Sequence, residues 1–168
     1  PNYACHFVMG NPPFVGTLLM SDEQRKDMRL FFDKPRYLDY VTCWYIKAMQ
    51  YAKGTKIHCA FVSTNSITQG GEVHALWPTL LEAGLKIDFA YRSFVWSNET
   101  RNNAHVHCVI IGFSFADHRK QKILFDNNTY KIVKNIHPYL QEGEDLIVYP
   151  AKKPLISGVK KCSYGDIP

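Results

Sequence analysis

Near its amino end the chain runs Ala4-Cys5-His6-Phe7-Val8-Met9-Gly10 and then Asn11-Pro12-Pro13-Phe14. The apolar run predicts a buried strand. Two consecutive prolines donate nothing to a sheet ladder, so the strand must stop there. A proline also keeps the residue before it extended, which fixes the carboxamide of Asn11 relative to the ring of Phe14. A rigid polar acceptor beside an aromatic platform at a strand's end suits a flat, hydrogen-bonding ligand such as a nucleobase. Asn-Pro also starts ordinary turns. That reading accounts for the prolines but not for the strand before, the ring after and the α/β pattern downstream.

Helices and strands alternate beyond this point. Ser21 predicts an N-cap for a polar helix from Asp22 to Phe32, with acids in its first turn. Leu38, Val41, Tyr45, Ala48 and Ala52 recur at helical spacing, and Gly54 ends that helix. Lys56 to Val62 reads as a second strand entering a polar loop, Ser63 to Ser66. A helix from Glu72 to Ala83 follows, kinked or interrupted at Pro78 and closed by Gly84. Lys86 to Trp96 and His105 to Phe115 read as a third and a fourth strand. The segment 97–103 is too short for a crossover helix, so these two should pair as an antiparallel hairpin, while the earlier strands run parallel. The expectation is an α/β domain with a mixed sheet. Ligands of such sheets bind beyond the carboxyl ends of the strands, which brings Asn11 and the loop holding Ser63 and Asn65 to one edge.

The 168 residues are one domain's worth. The chain starts almost inside a strand and its last residues close no element, so a piece of a longer polypeptide is expected. No apolar stretch approaches the ~20 residues of a membrane span, and no signal-peptide pattern is visible. Five scattered cysteines without CxxC pairing, three of them in apolar runs, read as reduced residues of a cytoplasmic protein.

A net charge of +5 fits a nucleic-acid partner without demanding one. Beyond Phe115 the cations Arg119, Lys120, Lys122, Lys131, Lys134, Lys152, Lys153, Lys160 and Lys161 are placed either to follow a phosphate backbone or to form a solvated surface. His105 and His107 share a strand face that excludes Cys108, and no second ligand cluster has metal spacing, so no metal is expected. Ser63 and Ser66 lack a nucleophile elbow, and capping is the better reading of that loop. Phe94 and Trp96 alternate to one face. Core packing is the default there, with base stacking by Trp96 the alternative. No glycine-rich phosphate loop and no acid–base carboxylate pair appears.

The succession FVMGNPPFVG, LDYVTCWYIKA, KIHCAFVSTNSITQG and FVWSNETRNNAHVHCVIIGF resembles the catalytic half of the adenine-specific (N6) DNA methyltransferases of the bacterial restriction–modification type. The resemblance spans Tyr3 to Phe115 and continues more weakly through HPYLQEGEDLIVYPAKKPL. It implies a partial Rossmann-like methyltransferase sheet, parallel strands ending in an antiparallel hairpin. Residues 1–116 would be the C-terminal, catalytic half, and residues 117–168 a connector toward a target-recognition region. It implies S-adenosylmethionine as methyl donor and duplex DNA with a flipped adenine as partner. In that family the residues matching Asn11 and the carbonyl of Pro12 accept from the exocyclic amine, Pro13 completes the motif, and the ring matching Phe14 stacks on the base.

The family's glycine-rich cofactor turn and acidic ribose contact lie upstream of this motif. The chain is therefore expected to lack most of its cofactor pocket and to be inactive alone. Two alternatives stay open: an NPPY-type methyltransferase acting on protein glutamine or RNA, and a non-catalytic DNA-binding domain of the same fold. Phe14 and the long downstream extension weigh against the first.

Overall fold

Six strands form one sheet in the order β1 (Phe7–Gly10), β2 (His58–Thr64), β4 (Val106–Ser114), β3 (Lys86–Trp96), β5 (Lys122–Asp126) and β6 (Thr129–Val133). The structure is a computed structural model and describes residues 5–33, 35, 37–96, 106–115 and 121–151. β1 pairs parallel with β2, and β3 parallel with β5. β4 is antiparallel to both of its neighbours, and β6 to β5. Hence β1, β2, β3 and β5 point one way and present their carboxyl ends on one edge, as the α/β pattern predicts. The β3–β4 hairpin folds back so that β4 lies between β2 and β3. A two-stranded hairpin, β7 (Ile136–His137) with β8 (Gln141–Glu142), follows the sheet.

Helices α1 (Asp22–Phe31), α2 (Val41–Ala52) and α3 (Gly70–Glu82) each answer to a local signal. Ser21 caps α1 in a full capping box with Gln24. At the end of α3, Gly84 takes φ +92 and donates to the carbonyl of Leu81, while Leu85 donates to that of Leu80. This Schellman closure is open to glycine at no steric cost. Pro78 lies inside α3 without ending it.

The core centres on Tyr45, whose ring meets Phe61 edge-on at 5.4 Å, stacks on Phe113 at 5.3 Å and lies 6.2 Å from Trp77. Strand β2 supplies Cys59, Phe61 and Ser63 to this buried face, with half-buried residues alternating between them. A smaller cluster of Met20, Met28, Leu38 and Cys43 lies beneath α1.

Three sequence expectations are corrected. β1 is not buried: Phe7 and Met9 are 63% and 77% exposed, because among the described residues the strand pairs only with β2 and leaves its other edge open. Ser63 and Thr64 belong to β2 rather than to a loop, since the buried face continues through Ser63. Lys122 is no surface cation. A register shift between Ile87 and Phe89 carries Asp88 inward, where its carboxylate meets Lys122 Nζ at 3.3 Å and His58 Nδ1 at 3.2 Å.

The sheet also continues past residue 116 through β5 and β6. Both strands are short, and β6 exposes most of its residues, which is why no period announces it. Gly112 of β4 has a packing reason: a Cβ there would collide with the Phe89 ring. The hairpin segment 97–103, Ala4, His105, Cys162, and the cations Arg119, Lys120, Lys152, Lys153, Lys160 and Lys161 lie outside the described residues.

Candidate functional site

Asn11 leaves the carboxyl end of β1 directly after Gly10, whose register partner is Phe61. Asn11 and Pro13 are exposed, Pro12 is buried, and Phe14 is half-buried against the main core. The tetrapeptide thus lays down one proline and offers its carboxamide to solvent. Its upstream end is held by the β1–β2 ladder.

Its downstream end is held by a second set of bonds. The Val15 N–H donates to Asp39 Oδ1 at 3.1 Å, the Tyr40 N–H to the Val15 carbonyl at 3.0 Å, and the Thr17 hydroxyl to the Leu38 carbonyl at 3.2 Å. Residues 15–17 therefore lie against residues 38–40, and the motif is a short, stiff bridge between two fixed points.

Asp39 is the residue that sequence reasoning missed. Its Oδ1 also accepts from the Val41 N–H at 3.0 Å, and the Thr42 hydroxyl donates to its carbonyl at 2.7 Å, so it braces the first turn of α2, one residue before the Tyr40 cap, as well as tethering the loop. The available signal was an aspartate, a residue type that binds the backbone N–H two positions on, just ahead of an amphipathic helix. The Asp39 N–H donates to Glu72 Oε2 at 3.1 Å. Burial pushes the Asp39 carboxyl above its usual range, against hydrogen bonds from Val41, Val15 and Thr64. Glu72, in the first turn of α3, is likewise raised by burial, against bonds from Asp39 and Ser66, with the Asp39 charge adding to the rise. The hydroxyls of Thr64 and Ser66 lie 2.9 Å apart and complete a polar seam behind the motif.

The other expected residues fall as follows. Ser63 is fully buried with its hydroxyl 2.8 Å from that of Tyr45, so it faces the core. Asn65 opens a 3-10 turn (Asn65–Thr68) at the carboxyl edge and donates to the Ser93 hydroxyl at 3.3 Å. Trp96 ends β3 on the same edge, two strands across from β2, with its ring 6.3 Å from Phe94. The structure thus brings Asn11, Asn65 and Trp96 to one edge and keeps Ser63 beneath it.

No activated nucleophile accompanies the motif among the described residues. Burial pushes the thiols of Cys43 and Cys59 up to about 12 and about 11, which holds them protonated at neutral pH. Among the described residues no group of three His, Cys, Asp or Glu side chains is arranged to hold a metal. The exposed Asn11 carboxamide can accept a hydrogen bond from a planar amine.

The family model of the MmeI DNA-methyltransferase domain matches residues 2–126. The chain belongs to that family. It is 43% identical over 165 residues to DNA methyltransferase A of Bacillus subtilis (strain 168), covering 96% of this chain and 19% of that protein. It is also similar to the structure of the Type IIL restriction–modification enzyme MmeI in complex with DNA. There the TM-score is 0.83 at 44% identity, over 89% of this chain and 21% of the other. The chain therefore spans about a fifth of the length of these relatives. Membership of the MmeI DNA-methyltransferase domain family bears out the resemblance drawn from the motif and from the order of the segments around it.

Proposed function

We propose that this chain is the base-clamping half of a methyltransferase that modifies adenine N6 in duplex DNA, with S-adenosylmethionine as methyl donor. The observation that carries the reading is the pinned tetrapeptide: Asn11 exposed at the carboxyl end of β1, with a buried Pro12 and a half-buried ring at Phe14. The lone pair of adenine's exocyclic nitrogen is delocalised into the ring. The Asn11 carboxamide oxygen and the Pro12 carbonyl, fixed before the base arrives, accept its two N–H bonds and turn that lone pair toward the incoming methyl. Such preorganisation costs nothing at the moment of reaction. Phe14 offers a face for the extruded base to stack on.

S-adenosylmethionine, when bound, supplies an electrophilic methyl carbon on a sulfonium. Because the acceptor is a neutral amine, no nucleophile or strong base need be built, which agrees with the side chains present. The described residues offer an open, mainly apolar hollow of ≈ 550 Å³ beside β1, walled by Val8, Trp44, Ala48, Tyr51 and Phe61 with Lys47 and Gln50. No acid lines it. This supports the reading that the ribose and sulfonium contacts come from another part of the polypeptide and that the piece alone is inactive. The exposed apolar side chains of β1, on an edge that no other described strand pairs, fit the same division, with residues 1–116 as the catalytic half and 117–168, which first add β5 and β6 to the same sheet, leading toward target recognition.

Family membership favours DNA over protein glutamine or RNA as acceptor, and an enzyme over a non-catalytic binding domain. No helix among the described residues is long and apolar enough to cross a membrane. The test is labelled methyl transfer by the full-length parent to DNA, RNA and protein in parallel, with and without Asn11→Ala. Label on adenine N6 that the variant loses supports the assignment. Label that the variant retains overturns it.

A further inference from the structure

We propose that Asp39 is a positioning residue for the clamp, acting through one carboxyl oxygen that ties the exit of the Asn11–Phe14 loop to the start of α2. The inference rests on the clamp reading above. Asp39 Oδ1 accepts from the N–H of Val15, the residue directly after Phe14, and from the N–H of Val41, in the first turn of α2. Both bonds converge on a single oxygen of a 7%-exposed side chain. The Asp39 N–H is in turn held by Glu72 of α3. The clamp exit is thereby referred to two helices that pack on the central sheet, not to solvent.

Without this tether the clamp keeps its ladder at Gly10, its stiff prolines and the Tyr40–Val15 and Thr17–Leu38 bonds, but loses the one side-chain bond that ties its exit to α2. A stiff segment held less tightly at one end pivots as a unit, so the Asn11 and Pro12 acceptors shift together relative to the methyl donor. Misplacement of about 1 Å costs roughly 10²-fold in rate. Glu72 is the ionisable group facing Asp39 from α3, and it binds the Asp39 backbone, not its carboxyl.

Bracing the first turn of α2 and tethering the loop are two functions of the same oxygen, and they are separable. Asparagine presents an equivalent oxygen to both N–H groups. Serine also binds the N–H two residues on, but its hydroxyl is one bond shorter and does not serve both Val41 and Val15. In the full-length parent, single-turnover adenine methylation, DNA affinity and melting temperature are measured for Asp39→Asn, Asp39→Ser, Asp39→Ala and Asn11→Ala.

Asp39→Asn is expected within about threefold of wild type. Asp39→Ser should melt no lower than Asp39→Ala and keep its DNA affinity, yet lose about 10- to 100-fold in single-turnover rate. A wild-type rate for Asp39→Ser overturns the inference, as does a loss in Asp39→Asn equal to that in Asp39→Ala. Retained activity in Asn11→Ala instead overturns the clamp reading. An inactive Asn11→Ala beside a fully active Asp39→Ser defeats the Asp39 inference alone.

Discussion

Asp39 and Glu72 are buried acids close to the Asn11–Phe14 loop. Burial raises Asp39 and Glu72 above their ordinary range, so the folded chain takes up these protons at higher pH than the unfolded one. Their contribution therefore favours the fold increasingly as pH falls from neutral through the raised values, down to about 4, where the unfolded carboxyls also protonate. Glu72→Gln keeps an acceptor for the Asp39 N–H and removes one of the two groups. Urea midpoints measured from pH 7 to pH 4 should show a smaller rise toward acid than wild type. An unchanged slope would place the proton uptake elsewhere.

Asp88 is held in a buried ion pair. Its carboxylate and Lys122 Nζ, both 4% exposed, are paired at 3.3 Å. Lys122→Ala leaves Asp88 facing only His58 and is expected to cost about 3 kcal/mol or more, read from the shift in urea midpoint. A tally of residue types had set Lys122 among the surface cations. The register shift that turns Asp88 inward is a property of the pairing and leaves no mark in composition.

Elements were legible where one face is apolar and the ends carry caps. Ser21 with Gln24, Gly54 and Gly84 punctuate the helices where their chemistry says they should, and β3 runs from Lys86 to Trp96 as its pattern predicts. α3 passes through Pro78 because of packing that is not local. Val73, Leu76, Trp77 and Leu80 are all fully buried, and the Trp77 ring N–H donates to the Ile67 carbonyl at 2.6 Å. Each such side chain contributes roughly 2 kcal/mol, and together they exceed the ~3 kcal/mol that proline costs a helix interior. Pro78→Ala should accordingly stabilise the fold by about 1–3 kcal/mol, seen as a raised urea midpoint with unchanged helical circular dichroism. Destabilisation would mean that the proline serves the packing itself.

For the molecule as a whole, Asn-Pro-Pro-Phe and the order of the segments were enough to read the first four strands, their directions and the family. What they could not supply was the tether. Asp39 and Val15 lie 24 positions apart, and nothing in either neighbourhood says that they meet. Nor could an apolar run distinguish a buried strand from β1, whose exposed Phe7 and Met9 border an edge that no other described strand pairs. A chain spanning about a fifth of its relatives carries one half of a proposed site at that edge. The central claim is that this half fixes the amine of an extruded adenine. The most direct test is the single-turnover rate of N6-methyladenine formation in duplex DNA by the full-length parent, wild type against Asn11→Ala. Loss of one preorganised acceptor should lower that rate roughly 10²- to 10³-fold while duplex binding persists. An Asn11→Ala protein that methylates adenine at the wild-type rate would contradict the account.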